Sequence, residues 1–298
     1  MGFFYFAIMM QSSKKQEKIG VSYMTMNNSF YQVLNEEVEK RVDARANKLI
    51  IRDPALNAQK QVDQINFFIK KKVAAIIINP VDGNDPSLIA VINKAHRKGI
   101  KIVVVDSQVS AKAHVDSTLL SDNYQAGVLC AQALMKKRKS AKILLLEHYS
   151  AMSANDRIRG FLGALTHKYQ VVGRLNTWGQ SEIAYPAVLK RIKQKVNFDT
   201  IMSLNDQAAV GAIAALDNCK VKNVDVYSVD GSANMKQLIL SNPHATATAA
   251  QSPKQMGKLS YQVARNLIDG KKVKSRINLP VYLISKQNVK NYNVTGWQ

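Results

Sequence analysis

Polar side chains stand directly after several apolar runs of this 298-residue chain, where a buried strand would end. They comprise carboxylates, amides and one guanidinium group: Asn28, Asn79, Asp106, Arg157, Asn205, Asp230 and Gln251. Such groups form paired hydrogen bonds, and the vicinal hydroxyls of a sugar offer partners at a matching spacing. Their types and positions therefore predict a binding site for a polyhydroxylated ligand.

Helix capping is the structural alternative for these residues, since Asn and Asp are good N-caps at a strand-to-helix turn. Capping accounts for Asp122 and Asp206, but it does not account for an arginine and a glutamine in the same set. Aromatic residues accompany the polar ones, namely Phe30 and Tyr31 in "MTMNNSFYQVL", and Trp178 further along. Their rings could cover the apolar C–H faces of a sugar, so the joint occurrence favours a ligand site.

Apolar runs alternate with helical patterns along the chain. Runs such as "KIGVSYM", "AAIIINP" and "KIVVVD" suit parallel strands buried on both faces, and the segments between them suit crossover helices. The series starts at Lys18 and starts again at Ala141. We therefore predict an α/β fold of two doubly wound, parallel-sheet lobes, with a cleft at the carboxyl ends of the strands.

Motifs of enzymes and metal sites are missing from the sequence. No GxGxxG follows a strand-like run, no GxSxG occurs, and the five histidines lack the spacing of metal ligands. We predict a protein with no catalytic residues, no cofactor and no metal.

The chain carries 42 Lys and Arg against 21 Asp and Glu, a formal net charge of +21. Such an excess can attract nucleic acid or an anionic surface. The basic runs "KKQEK", "KKK", "KKRK" and "GKKVKSR" are scattered, mostly at helix ends or in loops, as solvated faces are. We therefore predict no nucleic-acid binding.

Residues 3–10 form an apolar run near the start of the chain. The run is too short to span a bilayer, which needs roughly 20 residues. It resembles the remnant of a signal-peptide core, with residues 1–17 acting as a leader or tether.

Eight segments in order resemble the ribose/galactose-type periplasmic sugar-binding proteins, the substrate-capturing subunits of ABC importers. The segments are "NNSFY", "IIINPVDG", "VVVDS", "LLSDNYQAG", "DRIRGF", "LNDQAAVGA", "VDGSANM" and "ATAAQSPKQMG". The resemblance extends from about Lys18 to about Val289.

This resemblance implies which residues contact the sugar: Asn28, Phe30, Tyr31, Asp106, Arg157, Trp178, Asn205, Asp230 and Gln251. It places Asn79, Ser107 and Ser121 near the cleft or hinge, and it leaves Asn27 to shape the turn. The chain departs from the ribose binders at Ser107, where they have arginine, and at Val229, where an aromatic residue is common. These departures favour another monosaccharide, or a cyclic polyol, over ribose.

The family architecture implies two lobes joined by a three-segment hinge, which close around the ligand and present both surfaces to a membrane permease. The implied lobes are residues 18–121 plus 252–280, and residues 122–251 plus 281–298. The resemblance further implies a monomer exported to the periplasm or to the outer face of the cell membrane.

Three alternative functions are considered: two belong to other proteins of the same fold, and the third is an enzyme. A lactose-repressor-like effector domain would need a DNA-binding headpiece, and about 17 residues before the first strand are too few for one. A sensor ectodomain is the second alternative, although no transmembrane segment is visible in the sequence. An enzyme acting on a sugar is the third, and it lacks a recognisable catalytic pair.

Overall fold

The computed structural model describes residues 16–44 and 47–297. The predicted leader, residues 1–17, lies almost entirely outside the described residues. The described chain forms two α/β lobes, each built on a six-stranded sheet with helices packed on it. The predicted α/β class with two doubly wound lobes is confirmed.

Lobe one is built on a wholly parallel sheet in the order β11-β5-β4-β3-β1-β2. Its strands are β1 (Lys18–Ser22), β2 (Lys48–Arg52), β3 (Ala75–Ile78), β4 (Lys101–Val105), β5 (Ser117–Ser121) and β11 (Arg276–Leu279). Its helices are α1 (Ser29–Asp43), α2 (Ala58–Lys70), α3 (Pro86–Arg97) and α9 (Pro253–Ile268). The central strands are buried because helices cover both faces, which explains their continuous apolar sequences.

Lobe two is built on a sheet in the order β12-β10-β9-β8-β6-β7. Its strands are β6 (Ala141–Glu147), β7 (Tyr169–Asn176), β8 (Thr200–Ser203), β9 (Asp225–Asp230), β10 (Ala245–Ala250) and β12 (Tyr282–Ser285). Its helices are α4 (Asn123–Lys137), α5 (Met152–Ala164), α6 (Ser181–Lys193), α7 (Asp206–Asn218) and α8 (Ala233–Ser241). The edge strand β12 runs antiparallel to β10, which sequence periodicity does not reveal.

The chain passes between the two sheets at three places. It crosses after β5, again between β10 and α9, and a third time in the short connection from β11 to β12. Helix α9 packs against α1, β3 and β4 of lobe one. A short 3-10 turn (Val289–Asn291) follows β12.

Two glycines let α4 and α5 approach each other backbone to backbone. A Cβ atom on Gly127 would come within 1.9 Å of the Arg157 carbonyl oxygen, and one on Gly160 within 2.0 Å of the Tyr124 carbonyl oxygen. No larger residue fits at either place without moving a helix. This close packing fixes α5, and with it Arg157, at the edge of the cleft.

Across residues 16–44 and 47–297, no helix is both long enough and apolar enough to cross a membrane.

Candidate functional site

A cavity lies between the lobes, at the carboxyl ends of their strands. The structure places all nine of the predicted ligand contacts in its wall: Asn28, Phe30, Tyr31, Asp106, Arg157, Trp178, Asn205, Asp230 and Gln251. Further wall residues were not predicted from the sequence: Met24, Thr25, His148, Ala151, Ser153, Ala154, Gly179, Gln180 and Leu204. The parallel sheets explain the convergence, because their strand ends all face the same cleft.

The loop from β1 to α1 contributes one amide and two rings. Asn28 is the N-cap of α1, and its Oδ1 accepts a hydrogen bond from the Phe30 backbone N–H at 2.9 Å. Capping therefore uses the oxygen of Asn28 and leaves its amide N–H groups as donors. The Tyr31 ring is buried, with the Tyr23 ring stacked 5.9 Å away, centroid to centroid.

Asp106 follows β4 and is held by two donors of its own lobe. Its Oδ2 accepts hydrogen bonds from the Tyr31 hydroxyl at 2.9 Å and from Asn79 Nδ2 at 3.4 Å. Its Oδ1 is buried and has no hydrogen-bond partner. Burial raises the pKa of Asp106, while the Arg157 charge and the Tyr31 hydrogen bond act in the opposite direction.

Arg157 projects from α5 and is 4% exposed. Its Nε donates to Asn123 Oδ1 at 2.8 Å, and its Nη1 donates to the Leu204 carbonyl at 2.9 Å. The guanidinium lies 3.6 Å from the Asp106 carboxylate and 3.5 Å from the Asp230 carboxylate. Both distances are too long for good hydrogen bonds, so the cation is positioned by neutral partners between two carboxylates.

Asp230 and Gln251 end β9 and follow β10 in lobe two. Gln251 Nε2 donates to Asp230 Oδ1 at 2.7 Å, and Gln251 Oε1 is buried without a partner. Burial raises the pKa of Asp230 well above its usual value; Arg157 lowers it, while the carboxylates of Asp206 and Asp106 raise it further. Two buried acceptors of this cavity wall, Asp106 Oδ1 and Gln251 Oε1, thus accept no hydrogen bond from any described residue.

Three non-glycine residues of the cavity wall have positive φ angles, which such residues rarely adopt. The angles are +63° at Asp106, +53° at Trp178 and +140° at Asp230. Such strain is typical of functional sites, where it fixes the direction of a side chain.

Asn205 supports the Trp178 loop as well as lining the cavity. As the N-cap of α7, its Oδ1 accepts from the Ala208 backbone N–H at 3.0 Å, and its Nδ2 donates to the Gly179 carbonyl at 3.0 Å. Trp178 itself is 37% exposed and forms the solvent-facing edge of the cavity.

His148 is a cavity residue that sequence reasoning missed. Its ring lies 5.1 Å from the Trp178 ring, and its Nε2 is 3.1 Å from Ser150 Oγ. Burial lowers the pKa of His148 to about 4, so the imidazole is neutral at neutral pH. A signal was present, because His148 directly follows the apolar run of β6, as the predicted residues follow other strands.

The three residues predicted near the cleft or hinge do not line the cavity. Asn79 positions Asp106, since its Nδ2 also donates to the Val105 carbonyl at 3.1 Å. Ser107 Oγ accepts a hydrogen bond from the Ser153 backbone N–H, at the N-terminus of α5 in the other lobe, at 3.2 Å. Ser121 ends β5, and its hydroxyl is buried without a partner.

Hydrogen bonds across the cleft mark this structure as closed. Asn27 shapes the turn, as expected, through a bond from its N–H to Thr25 Oγ1, and its side chain also donates to Gln180 Oε1 at 3.2 Å and Glu182 Oε1 at 3.0 Å. On the opposite rim, Gln108 Nε2 donates to Asp156 Oδ2 at 3.0 Å. Closure therefore involves direct contacts between the lobes.

Metal ligands do not cluster in the part of the chain that the structure describes: no group of three or more His, Cys, Asp or Glu could hold an ion there. The cavity wall instead combines hydrogen-bonding groups with aromatic rings.

Residues 19–272 match the family model of the periplasmic binding protein domain. The chain belongs to this family. The resemblance recognised in the sequence is thereby confirmed.

Curated and solved periplasmic binding proteins extend the comparison. The ribose import binding protein of Bacillus subtilis is 29% identical over 273 residues, which cover 91% of this chain and 88% of that protein. An ABC transporter solute binding protein from Agrobacterium vitis with bound D-fucose is 25% identical, with a TM-score of 0.85, and covers 91% of this chain and 96% of its own. An ABC transporter solute binding protein from Mycobacterium smegmatis with bound glycerol is 24% identical, with a TM-score of 0.88. The match covers 95% of this chain and 99% of that one.

Proposed function

We propose that this protein captures a neutral monosaccharide or cyclic polyol between its lobes and delivers it to the permease of an ABC transporter. The observation that carries the proposal is a pair of buried acceptors in the wall of a closed interlobe cavity, Asp106 Oδ1 and Gln251 Oε1, which accept no hydrogen bond from the described residues; Asp106 Oδ1 has only the long 3.6 Å ion-pair contact with Arg157. Leaving a buried acceptor unpaired costs about 1–3 kcal/mol, so the site is incomplete until a ligand donates. Hydroxyl groups of a polyol supply such donors.

Charge narrows the ligand class further. Two buried carboxylates, Asp106 and Asp230, lie beside one guanidinium, that of Arg157. A carboxylate or phosphate on the ligand would lie beside two acidic side chains and one guanidinium in a desolvated cavity, so its charge would lack a cation of its own. The site therefore favours neutral polyols over sugar acids and sugar phosphates.

The position of Ser107 supports a ligand other than ribose. The ribose binders have arginine there, whereas this serine is buried in the lobe interface and bonds to Ser153. Among the residues that the structure describes, Arg157 is then the single arginine of the cavity wall. This site therefore offers fewer cationic hydrogen-bond donors than a ribose site, which suits a ligand whose hydroxyl groups are arranged differently from those of ribose.

The lobes of the proposed binding protein are residues 18–121 with 252–280, and residues 122–251 with 281–298. The sheet order supports this division, since β11 joins the first sheet and β12 the second. The protein acts outside the cytoplasm as a monomer, performs no catalysis and uses no metal or cofactor. The family of periplasmic binding proteins supports the location.

A thermal-shift screen tests the proposal with D-ribose, D-allose, D-fucose and myo-inositol, against D-glucuronate and ribose 5-phosphate as anionic counterparts. Ligands that bind only the folded state raise Tm by mass action. We expect at least one neutral compound to raise Tm and neither anionic compound to do so. A larger shift with the anionic compounds would overturn the assignment.

A further inference from the structure

Lys236 of α8 has a side chain with 0% exposure to solvent. Lysine is almost never fully buried without partners, because an unsolvated ammonium group is costly. Here Nζ donates to the Asn293 carbonyl at 2.5 Å and to the Gly296 carbonyl at 2.6 Å. Both carbonyls belong to one segment after β12, residues 286–297, which we call the strap.

The strap is anchored on lobe two. Val289 is buried among the core residues of that lobe, and the Tyr292 ring stacks on Tyr282 of β12 with centroids 5.4 Å apart. The ammonium group of Lys236 adds a third attachment, close to Trp297 in sequence. This part of the chain lies outside residues 19–272, the range that the family model matches.

The strap also reaches lobe one. Trp297 is 8% exposed and packs edge-on against Phe30 of α1, with ring centroids 5.8 Å apart and planes at 75°. Phe30 lines the ligand cavity. Trp297 further borders a second, more open space between the lobes, which it shares with Asn28 and Asp230.

We propose that Trp297 is a positioning residue for the ligand site: held by Lys236, it fixes Phe30 against the face of the ligand. The proposal rests on the proposed sugar-binding function and deepens it. Phe30 is 2% exposed, and its ring makes edge contacts with Tyr31 at 5.3 Å and with Trp297 at 5.8 Å, centroid to centroid. The indole thus adds a contact from the strap to a ring that lines the cavity. A ring fixed before binding costs less entropy when the ligand arrives.

Sugar titration into the full chain tests the assignment, with D-fucose and D-ribose as probes. An edge-to-face aromatic pair contributes about 0.5–1.5 kcal/mol, so Trp297→Ala should weaken binding by about 3- to 10-fold. Trp297→Phe should restore most of the affinity, because a smaller ring still contacts Phe30. Leu240→Ala, on the exposed side of α8, is the matched control and should bind as the parent does.

A double-mutant cycle separates positioning from general stability. If Lys236 acts through Trp297, Lys236→Met should weaken binding, and adding it to Trp297→Ala should weaken binding no further. Two unrelated losses of stability would instead add. Additive effects on the Kd, or unchanged binding by Trp297→Ala, would overturn the proposal.

A readout without sugar keeps the two proposals distinguishable. In the sugar-free protein, NMR should show a nuclear Overhauser contact between the Trp297 indole and the Phe30 ring, and Lys236→Met should abolish it. Failure of every probe sugar to bind would count against the proposed function alone. The nuclear Overhauser contact would then test, without any sugar, whether Lys236 holds Trp297 against Phe30. Absence of the contact between Trp297 and Phe30 in the sugar-free parent protein would refute the positioning role of Trp297.

Discussion

The Tyr31 hydroxyl donates a 2.9 Å hydrogen bond to Asp106 Oδ2, while Asp106 Oδ1 is buried, accepts no hydrogen bond from the described residues and lies 3.6 Å from Arg157 Nη2. One oxygen of the carboxylate is thus fixed by its own lobe, and the other faces the Arg157 guanidinium of the opposite lobe. Asn79 adds a second, longer bond to the fixed oxygen. Tyr31 acts through its hydroxyl as well as through its ring.

Tyr31→Phe keeps the ring and removes the donor, so it isolates the role of the hydroxyl. We expect the Kd for the best neutral ligand of the screen to rise about tenfold, since hydrogen bonds to charged groups contribute about 1.5–3 kcal/mol. Loss of the hydrogen bond also lets the pKa of Asp106 rise further. Calorimetric titrations between pH 8 and pH 5 should show that affinity decreases as the pH is lowered and Asp106 becomes protonated. This decrease should begin at a higher pH in the variant than in the parent. Equal affinities would restrict Tyr31 to ring contact.

Arg157→Ala leaves the carboxylates of Asp106 and Asp230 without their cation. Breaking a buried charge pair on one side costs about 2–5 kcal/mol, so the thermal shift given by the best ligand should disappear. Arg157→Lys should also fail, because lysine cannot reproduce the separate bonds to Asn123 and Leu204. Arg159→Ala is the matched control, since that residue is on the same helix with its side chain 70% exposed. A retained shift in Arg157→Ala would show that the site lies elsewhere.

Asp230→Asn should stabilise the ligand-free protein while it weakens binding. The pKa of Asp230 is raised in the folded state, so the folded protein holds this proton more tightly than the unfolded chain does. The stability that this group contributes is full below its ordinary value of 3.8 and is lost as the pH rises through the raised folded value. Asn cannot ionise and avoids the loss.

Urea denaturation at pH 4, 5, 6 and 7 measures the effect. The free energy of unfolding of Asp230→Asn should exceed that of the parent by a margin that grows with pH. Ser140→Ala, an exposed change that removes no titratable group, should show no such trend. A margin that does not change with pH would mean that Asp230 ionises without penalty in the folded protein, and a margin that shrinks would mean that folding favours its ionisation.

Asn27 and Ser107 hold the lobes together in the closed structure, through bonds to Gln180, Glu182 and Ser153. These bonds break when the cleft opens, so Asn27→Ala and Ser107→Ala should raise the ligand dissociation rate by about 3- to 10-fold, at about 1 kcal/mol per hydrogen bond. The Tm of the ligand-free protein should change little if it is open. Ser140→Ala, an exposed serine outside the cleft, is the control.

Small-angle scattering gives the companion measurement for closure. The radius of gyration of the parent should fall when the best ligand is added, because a ligand that contacts both lobes favours the closed state. The Asn27→Ala variant should need more ligand to reach the same value. An unchanged radius at saturation would contradict hinge closure.

The sequence by itself determined the α/β class, the two lobes and the family, because continuous apolar runs and turn residues are local signals. It also indicated the residues that now line the cavity, since polar groups such as Asp106 and Asp230 directly follow buried strands, and parallel strands end at one edge. Only the tertiary structure decided how those groups are used. The unpaired oxygen of Asp106, the turn of Ser107 into the lobe interface and the contact of Trp297 with Phe30 each depend on residues far apart in the chain. Periodicity cannot reveal such contacts, because they join side chains that meet only when the chain folds.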